Sequence, residues 1–172
     1  MKIKTWQIIA TIICLILGVI LHFTYEWSGE NVIVGLFSAV NESTWEHLKL
    51  IYYPMVWTAI MGYFFIGKRS NNYWMAQTLG IITAMLFTIV FFYTYTGIVG
   101  TNFAWLNIAT FVLAIILGEI VTYNLLISPK SYNAEKISIF FLIILFLNFI
   151  LYTCNPPEIG LFQNPITKNR LN

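Results

Sequence analysis

Apolar residues in this chain fall into five long runs separated by short polar breaks: roughly Trp6–Phe23, Leu50–Ile66, Trp74–Tyr95, Phe103–Ile127 and Ile137–Thr153. Each is close to the ~20 residues that carry an α-helix across a bilayer. None alternates with period two, which would mark barrel strands. The pattern predicts an all-α, polytopic integral membrane protein folded as a single bundle of five transmembrane helices. The breaks are short and hold no Pro/Gly/Ser-rich linker, and no repeat is evident, so residues 1–172 read as one membrane domain. The first run follows Lys2 and Lys4 as a signal peptide would. It leads into His22-Phe23-Thr24-Tyr25-Glu26-Trp27 without a small-residue cleavage site, and so reads as a retained span.

Composition sharpens this picture. Hydrophobic residues make up 59% of the 172 and charged residues 9%, against about 25% charged in a soluble globule. Mean hydropathy is +0.77. The formal net charge of +2 comes from scattered residues, which excludes a nucleic-acid surface and leaves the lipid bilayer as the obligatory surrounding. Cys14 and Cys154 stand in unrelated positions, with no CxxC and no disulfide framework, and are expected as free thiols.

Basic residues orient the bundle. Lys2, Lys4, Lys68, Arg69, Lys130 and Lys136 all fall in segments that share one side of a five-span protein. The positive-inside rule makes that side the cytoplasm, with the amino terminus inside and the carboxyl terminus outside. Glu26, Glu30, Glu42 and Glu46 then lie on the outer side. Lys49, Lys168 and Arg170 run against the rule, the first beside acidic neighbours and the others in the tail.

The outer side also holds the densest chemistry. Asn41-Glu42-Ser43-Thr44-Trp45-Glu46-His47-Leu48-Lys49 places two carboxylates, a histidine, a lysine and an asparagine within nine residues. At 3.6 residues per turn, Thr11, Leu15, Gly18, His22 and Glu26 share one stripe of the first helix, and Glu42, Glu46, Lys49 and Tyr53 one stripe of the second. Two i,i+4 pairs, His22 with Glu26 and Glu42 with Glu46, are thus expected to meet if the first two spans pack together.

Three functional readings and one structural reading attach to this cluster. His22, Glu26, Glu42, Glu46 and His47 have the donor chemistry for a divalent zinc, manganese or iron ion. With or without a metal, Glu46 as general base with His47 and Glu42 would equip a membrane-embedded hydrolase or transferase acting on a lipid-linked substrate. Haem between His22 and His47 ranks last. In the structural reading, Ser43-Thr44-Trp45-Glu46 is a capping box, Glu46–Lys49 an i,i+3 pair, and His22, Glu26, Asn41 and Lys49 form a surface that binds a lipid or a membrane-protein partner. The chain has no HExxH and no aspartate. The non-enzymatic binding or accessory bundle is the favoured reading, with the hydrolase or transferase as its alternative.

Two features lie apart from the cluster. Glu119 falls inside the fourth run, about 12 Å from the cytoplasmic end of its helix, where an ionisable side chain needs a partner or a task. Gln77 and Thr11 are expected at similar depth. After Thr153, Pro156, Pro157 and Pro165 stop the last helix, and Leu161-Phe162 is expected to fold back over the outer surface.

The residues that carry these readings also carry a resemblance. His22-x-x-Tyr25-Glu26-Trp27-Ser28, then Asn41 to Lys49, then Pro156-Pro157 with Leu161-Phe162 and Pro165, resembles an uncharacterised family of small multi-span bacterial membrane proteins. The resemblance implies a bacterial plasma-membrane location and no particular activity. Where that family has an acidic residue in its LFxDP element, this chain has Asn164.

Overall fold

The computed structural model describes residues 1–164; the expectations placed on Pro165, Lys168 and Arg170 lie outside the described residues. Six α-helices account for most of the chain: α1 Ile3–Trp27, α2 Val32–Gly35, α3 Thr44–Phe65, α4 Tyr73–Val99, α5 Ala104–Leu126 and α6 Glu135–Cys154. Two 3-10 turns, Gly67–Arg69 and Gly160–Phe162, complete the elements, and no strand occurs among the described residues.

The helices end where the sequence removes their reasons to continue. α1 stops at Ser28, followed by Gly29 and Glu30 in left-handed conformations with φ 68° and 61°. α4 closes on Gly100 at φ 75°, whose N–H reaches Thr96 O at 2.8 Å; only glycine takes that cap without a Cβ penalty. α6 ends one residue before Pro156-Pro157. α3 starts on Ser43, whose hydroxyl accepts from Glu46 N.

Four of these helices, α1, α4, α5 and α6, are long and apolar enough to cross a membrane, which marks a membrane protein. α3 is as long as α5 to within a residue but more polar, and its position explains why. It packs against both α1 and α4 and buries Glu46, Lys49, Tyr52, Tyr53 and Thr58. Polar side chains that would be costly against lipid instead find protein partners: Tyr52 Oη donates to Leu142 O at 2.6 Å, and Tyr53 Oη to Leu36 O at 2.9 Å. The outward faces of the other helices carry exposed Ile8, Ile12, Ile16, Val90, Ile116 and Phe140.

Small residues set the closest approach. Gly80 on α4 and Gly118 on α5 face each other, so a Cβ on either would lie 2.7 Å from the other's carbonyl oxygen. Helices in lipid associate through such contacts because no hydrophobic drive separates them from the acyl chains. Thr122 Oγ1 donates to Ala76 O across the same seam at 3.3 Å. Gly18 plays the matching part between α1 and α3. It admits the carbonyl of Leu50, which Pro54 deprives of its i+4 donor.

Candidate functional site

Two polar clusters occupy the end of the bundle where α1 finishes and α3 begins, and both are built from the segment between residues 38 and 49. Asn41 Oδ1 accepts from Ser43 N at 2.8 Å, turning the chain so that Ser43 caps α3. Glu46 and His47 then leave the first turn in different directions, since adjacent helical residues point about 100° apart.

Glu46 points inward. Its Oε2 pairs with Lys49 Nζ at 2.5 Å and accepts from Val40 N at 3.0 Å, while Oε1 accepts from Thr153 Oγ1 at 3.5 Å. Lys49 is fully buried, and its ammonium also donates to Gly35 O at 2.7 Å and Ser38 O at 2.9 Å. All three ammonium protons are therefore placed. Ser38 continues the strap to α1: it accepts from Thr24 Oγ1 and Tyr25 N, each at 3.0 Å, and donates to Leu21 O. Glu46 thus reaches back to a backbone N–H as a capping-box glutamate does, though to Val40 rather than to the cap residue.

His47 points the other way, into a cluster with His22 and Glu42. His47 Nε2 lies 3.4 Å from Glu42 Oε2, His22 Nε2 lies 4.0 Å from Glu42 Oε1, and the two imidazole centroids are 5.4 Å apart. One donor atom from each residue falls within 4.8 Å of the others. The i,i+4 pairs expected along each helix are therefore not the ones the structure builds. Glu26 is exposed one turn beyond His22 and takes no place in the cluster, and Glu46 belongs to the buried pair with Lys49.

Hydrogen bonding fixes the chemistry of one ring. His47 Nδ1 lies 2.9 Å from Ser43 O. A carbonyl only accepts, so Nδ1 carries the proton and, in the neutral ring, Nε2 presents its lone pair to the Glu42 carboxylate. Two lone pairs at that distance repel unless a proton or a cation lies between them. The other imidazole is less satisfied still: His22 Nδ1 is buried without a hydrogen-bond partner among the described residues.

A pocket of about 380 Å³ opens beneath the cluster between α1, α3, α4 and α5. His22, Glu42 and His47 line its polar end with Asn102 and Asn107, and Val19, Phe23, Ile108 and Phe111 are among its apolar walls. Tyr95 Oη donates to Asn107 Oδ1 and lies 3.1 Å from Asn102 Oδ1, while Asn107 Nδ2 donates to Asn102 Oδ1 at 2.8 Å. Asn148 lies elsewhere, with its amide donating to Ile144 O on its own helix. The tail does not line the pocket as far as Asn164. Phe162 packs on Trp45 and Tyr152 instead, at centroid distances of 4.7 Å and 5.4 Å.

Glu119 is far from both clusters and buried. Gln7 Nε2 donates to its Oε2 at 2.6 Å, and Cys14 Sγ approaches Oε1 at 3.9 Å and Thr58 Oγ1 at 3.4 Å. Gln7, Cys14 and Thr58 were not singled out by the sequence pattern. The signal was available for Gln7 and Cys14, which lie seven residues apart on one face of an apolar helix. Cys14 is a free thiol, as is the exposed Cys154.

No curated protein and no solved structure matches the chain. A family description does, over residues 1–170, and the chain belongs to that family of unknown function (DUF6512).

Proposed function

We propose that this protein is a five-span bundle, with α3 as its inner span, that holds a divalent transition-metal ion between His22, Glu42 and His47 at the extracytoplasmic face. The observation that carries the reading is the 3.4 Å approach of His47 Nε2 to the Glu42 carboxylate, with Nδ1 of the same ring engaged by Ser43 O. It lies on a pocket lined by His22, whose Nδ1 is buried without a partner among the described residues. Two neutral imidazoles and one carboxylate are a donor set suited to zinc, iron or manganese and leave coordination positions open. Ligand atoms about 2.0–2.1 Å from a tetrahedral ion stand roughly 3.4 Å apart. The His47–Glu42 pair has that spacing, and a small rotation of His22 brings in the third donor. The hydrogen bond from His47 Nδ1 to Ser43 O is the kind of outer contact that fixes a ligating ring's tautomer and orientation.

The bundle is read as a binding protein. A hydrolase or transferase would have to draw its base from Glu42 or a histidine, because both oxygens of Glu46 are occupied by Lys49, Val40 and Thr153. The test is elemental analysis of detergent-purified protein loaded with zinc or manganese and then dialysed, beside His22→Ala and His47→Ala. One metal per chain in the wild type and none in either variant is the expected result. Equal metal in all three would sink the proposal.

A further inference from the structure

We infer that the pocket beneath the metal site takes a membrane phospholipid, with a phosphate oxygen completing the metal's coordination and part of an acyl chain lying between the helices; this rests on the metal reading above. The shape of the pocket argues for an amphiphile. Two histidines, a carboxylate and two asparagines line it together with a largely aliphatic and aromatic wall, in which the Thr88 and Thr110 hydroxyls are turned back to carbonyls of their own helices. Two of those wall residues, Val19 on α1 and Ile108 on α5, are 53% and 66% exposed on helices apolar enough to span a membrane. The cleft between them therefore opens sideways onto lipid, and a ligand enters without leaving the bilayer. At about 380 Å³ the cavity is near the small end of the ~300–1,000 Å³ typical of ligand sites. It suits a headgroup and a length of one chain rather than a whole two-chain lipid.

Charge and hydrogen bonding select the headgroup. A divalent ion held by two neutral imidazoles and one carboxylate leaves a net charge of about +1, which favours an anionic oxygen in the open position. A second recognition element faces the same space. Asn102 Oδ1 accepts from Asn107 Nδ2 at 2.8 Å, which orients the amide. Its NH₂ group has no hydrogen bond among the described residues and is left to donate to a phosphate oxygen. A ligand binding through the phosphate alone would use the same metal and amide but none of the apolar wall, so free phosphate and phospholipid are separable.

The experiment uses full-length protein loaded with manganese in detergent. Dihexanoylphosphatidic acid and inorganic phosphate are titrated separately, with metal occupancy read from the free-manganese electron paramagnetic resonance signal and ligand approach from 31P line broadening. The lipid is expected to broaden at a concentration at least tenfold lower than inorganic phosphate. Ile108→Trp, which narrows the cleft at an exposed position, is expected to abolish that advantage while leaving manganese affinity unchanged. Bound manganese with equal response to the two ligands, or with the lipid advantage intact in Ile108→Trp, overturns the lipid inference and leaves the metal reading standing. No manganese bound in the wild type overturns both.

Discussion

Glu46 and His47 are neighbours in the first turn of α3, yet they belong to two polar clusters of opposite character. The cluster around Glu46 and Lys49 is closed: side chains 3% and 0% exposed, and each charged group spoken for by backbone carbonyls, a backbone N–H or the other charge. The cluster around His47 is open: side chains 30–43% exposed, an imidazole nitrogen without a partner among the described residues, and both histidines held near one carboxylate at 3.4 and 4.0 Å. On the proposed reading, satisfaction rather than residue type separates the structural cluster from the one that holds a ligand. A buried ion pair with all its hydrogen bonds made has no capacity left for a ligand. A half-open one with donor atoms within 4.8 Å of one another keeps that capacity.

The hardest blow to this distinction comes from breaking the closed cluster. Lys49→Met leaves Glu46 buried without its cation and frees the carbonyls of Gly35 and Ser38. Losing one partner of a buried pair costs about 3–5 kcal/mol, so the variant is expected to lose most of its resistance to thermal unfolding in detergent. Replacing both partners, Glu46→Leu with Lys49→Met, should recover part of that loss, because the uncompensated charge is gone. A Lys49→Met protein that melts with the wild type would show that the strap on residues 35–40 is held by something else.

The open cluster predicts the reverse profile. Without metal, His47→Ala is expected to unfold within about 1 kcal/mol of wild type, as half-exposed positions outside a network usually do. With metal at one hundred times its dissociation constant, the wild type should gain about 2.7 kcal/mol and the variant nothing. Thermal unfolding with and without zinc reads both differences. A variant destabilised as strongly as Lys49→Met in the absence of metal would make the histidines part of the scaffold.

Ser43 sits where the two clusters join and separates them by atom. Its hydroxyl accepts from Glu46 N, and its carbonyl accepts from His47 Nδ1. Ser43→Ala removes only the first, so a cap loss of about 1 kcal/mol is expected with metal stoichiometry unchanged. Elemental analysis and a melting curve on the same sample decide it.

How much of this could be read in the sequence depends on the distance over which partners are chosen. Helical class and helix positions follow from local apolar runs, and the Ser43 cap from a four-residue pattern, so both were legible. Four helices meet the length and apolarity of a span, while α3 does not stand out, because its polar residues are shielded by neighbours that only the fold supplies. The segment from Asn41 to Lys49 and the residue His22 were rightly marked as one neighbourhood. Their pairing is legible only in part. The i,i+3 spacing of Glu46 and Lys49 predicts the pair the structure builds, but periodicity also joins His22 to Glu26 and Glu42 to Glu46, whereas the structure joins His22 and His47 to Glu42. Glu42 precedes the cap, so it lies off the helix, and the stripe that placed it beside Glu46 does not extend to it. The partners of Glu119 were missed for a similar reason. Gln7 and Cys14 come from a helix more than a hundred residues away.

Glu119 supplies the smallest effect and the last test of the rule that satisfaction marks structure. Its carboxylate is met by Gln7 Nε2 at 2.6 Å and approached by Cys14, so it resembles the closed cluster more than the open one. Glu119→Gln keeps the side chain's shape and an oxygen to accept from Gln7 Nε2. Exchanging one satisfied buried group for another of equal shape is nearly neutral. The expected change is below about 1 kcal/mol, with metal content and lipid response unaltered. Glu119→Ala, which strands the Gln7 amide, is expected to cost about 1–3 kcal/mol. If Glu119→Gln instead abolished metal or lipid binding with its melting curve intact, Glu119 would have a role beyond joining α5 to α1, and a buried carboxyl with protein partners would no longer be structural on that ground alone.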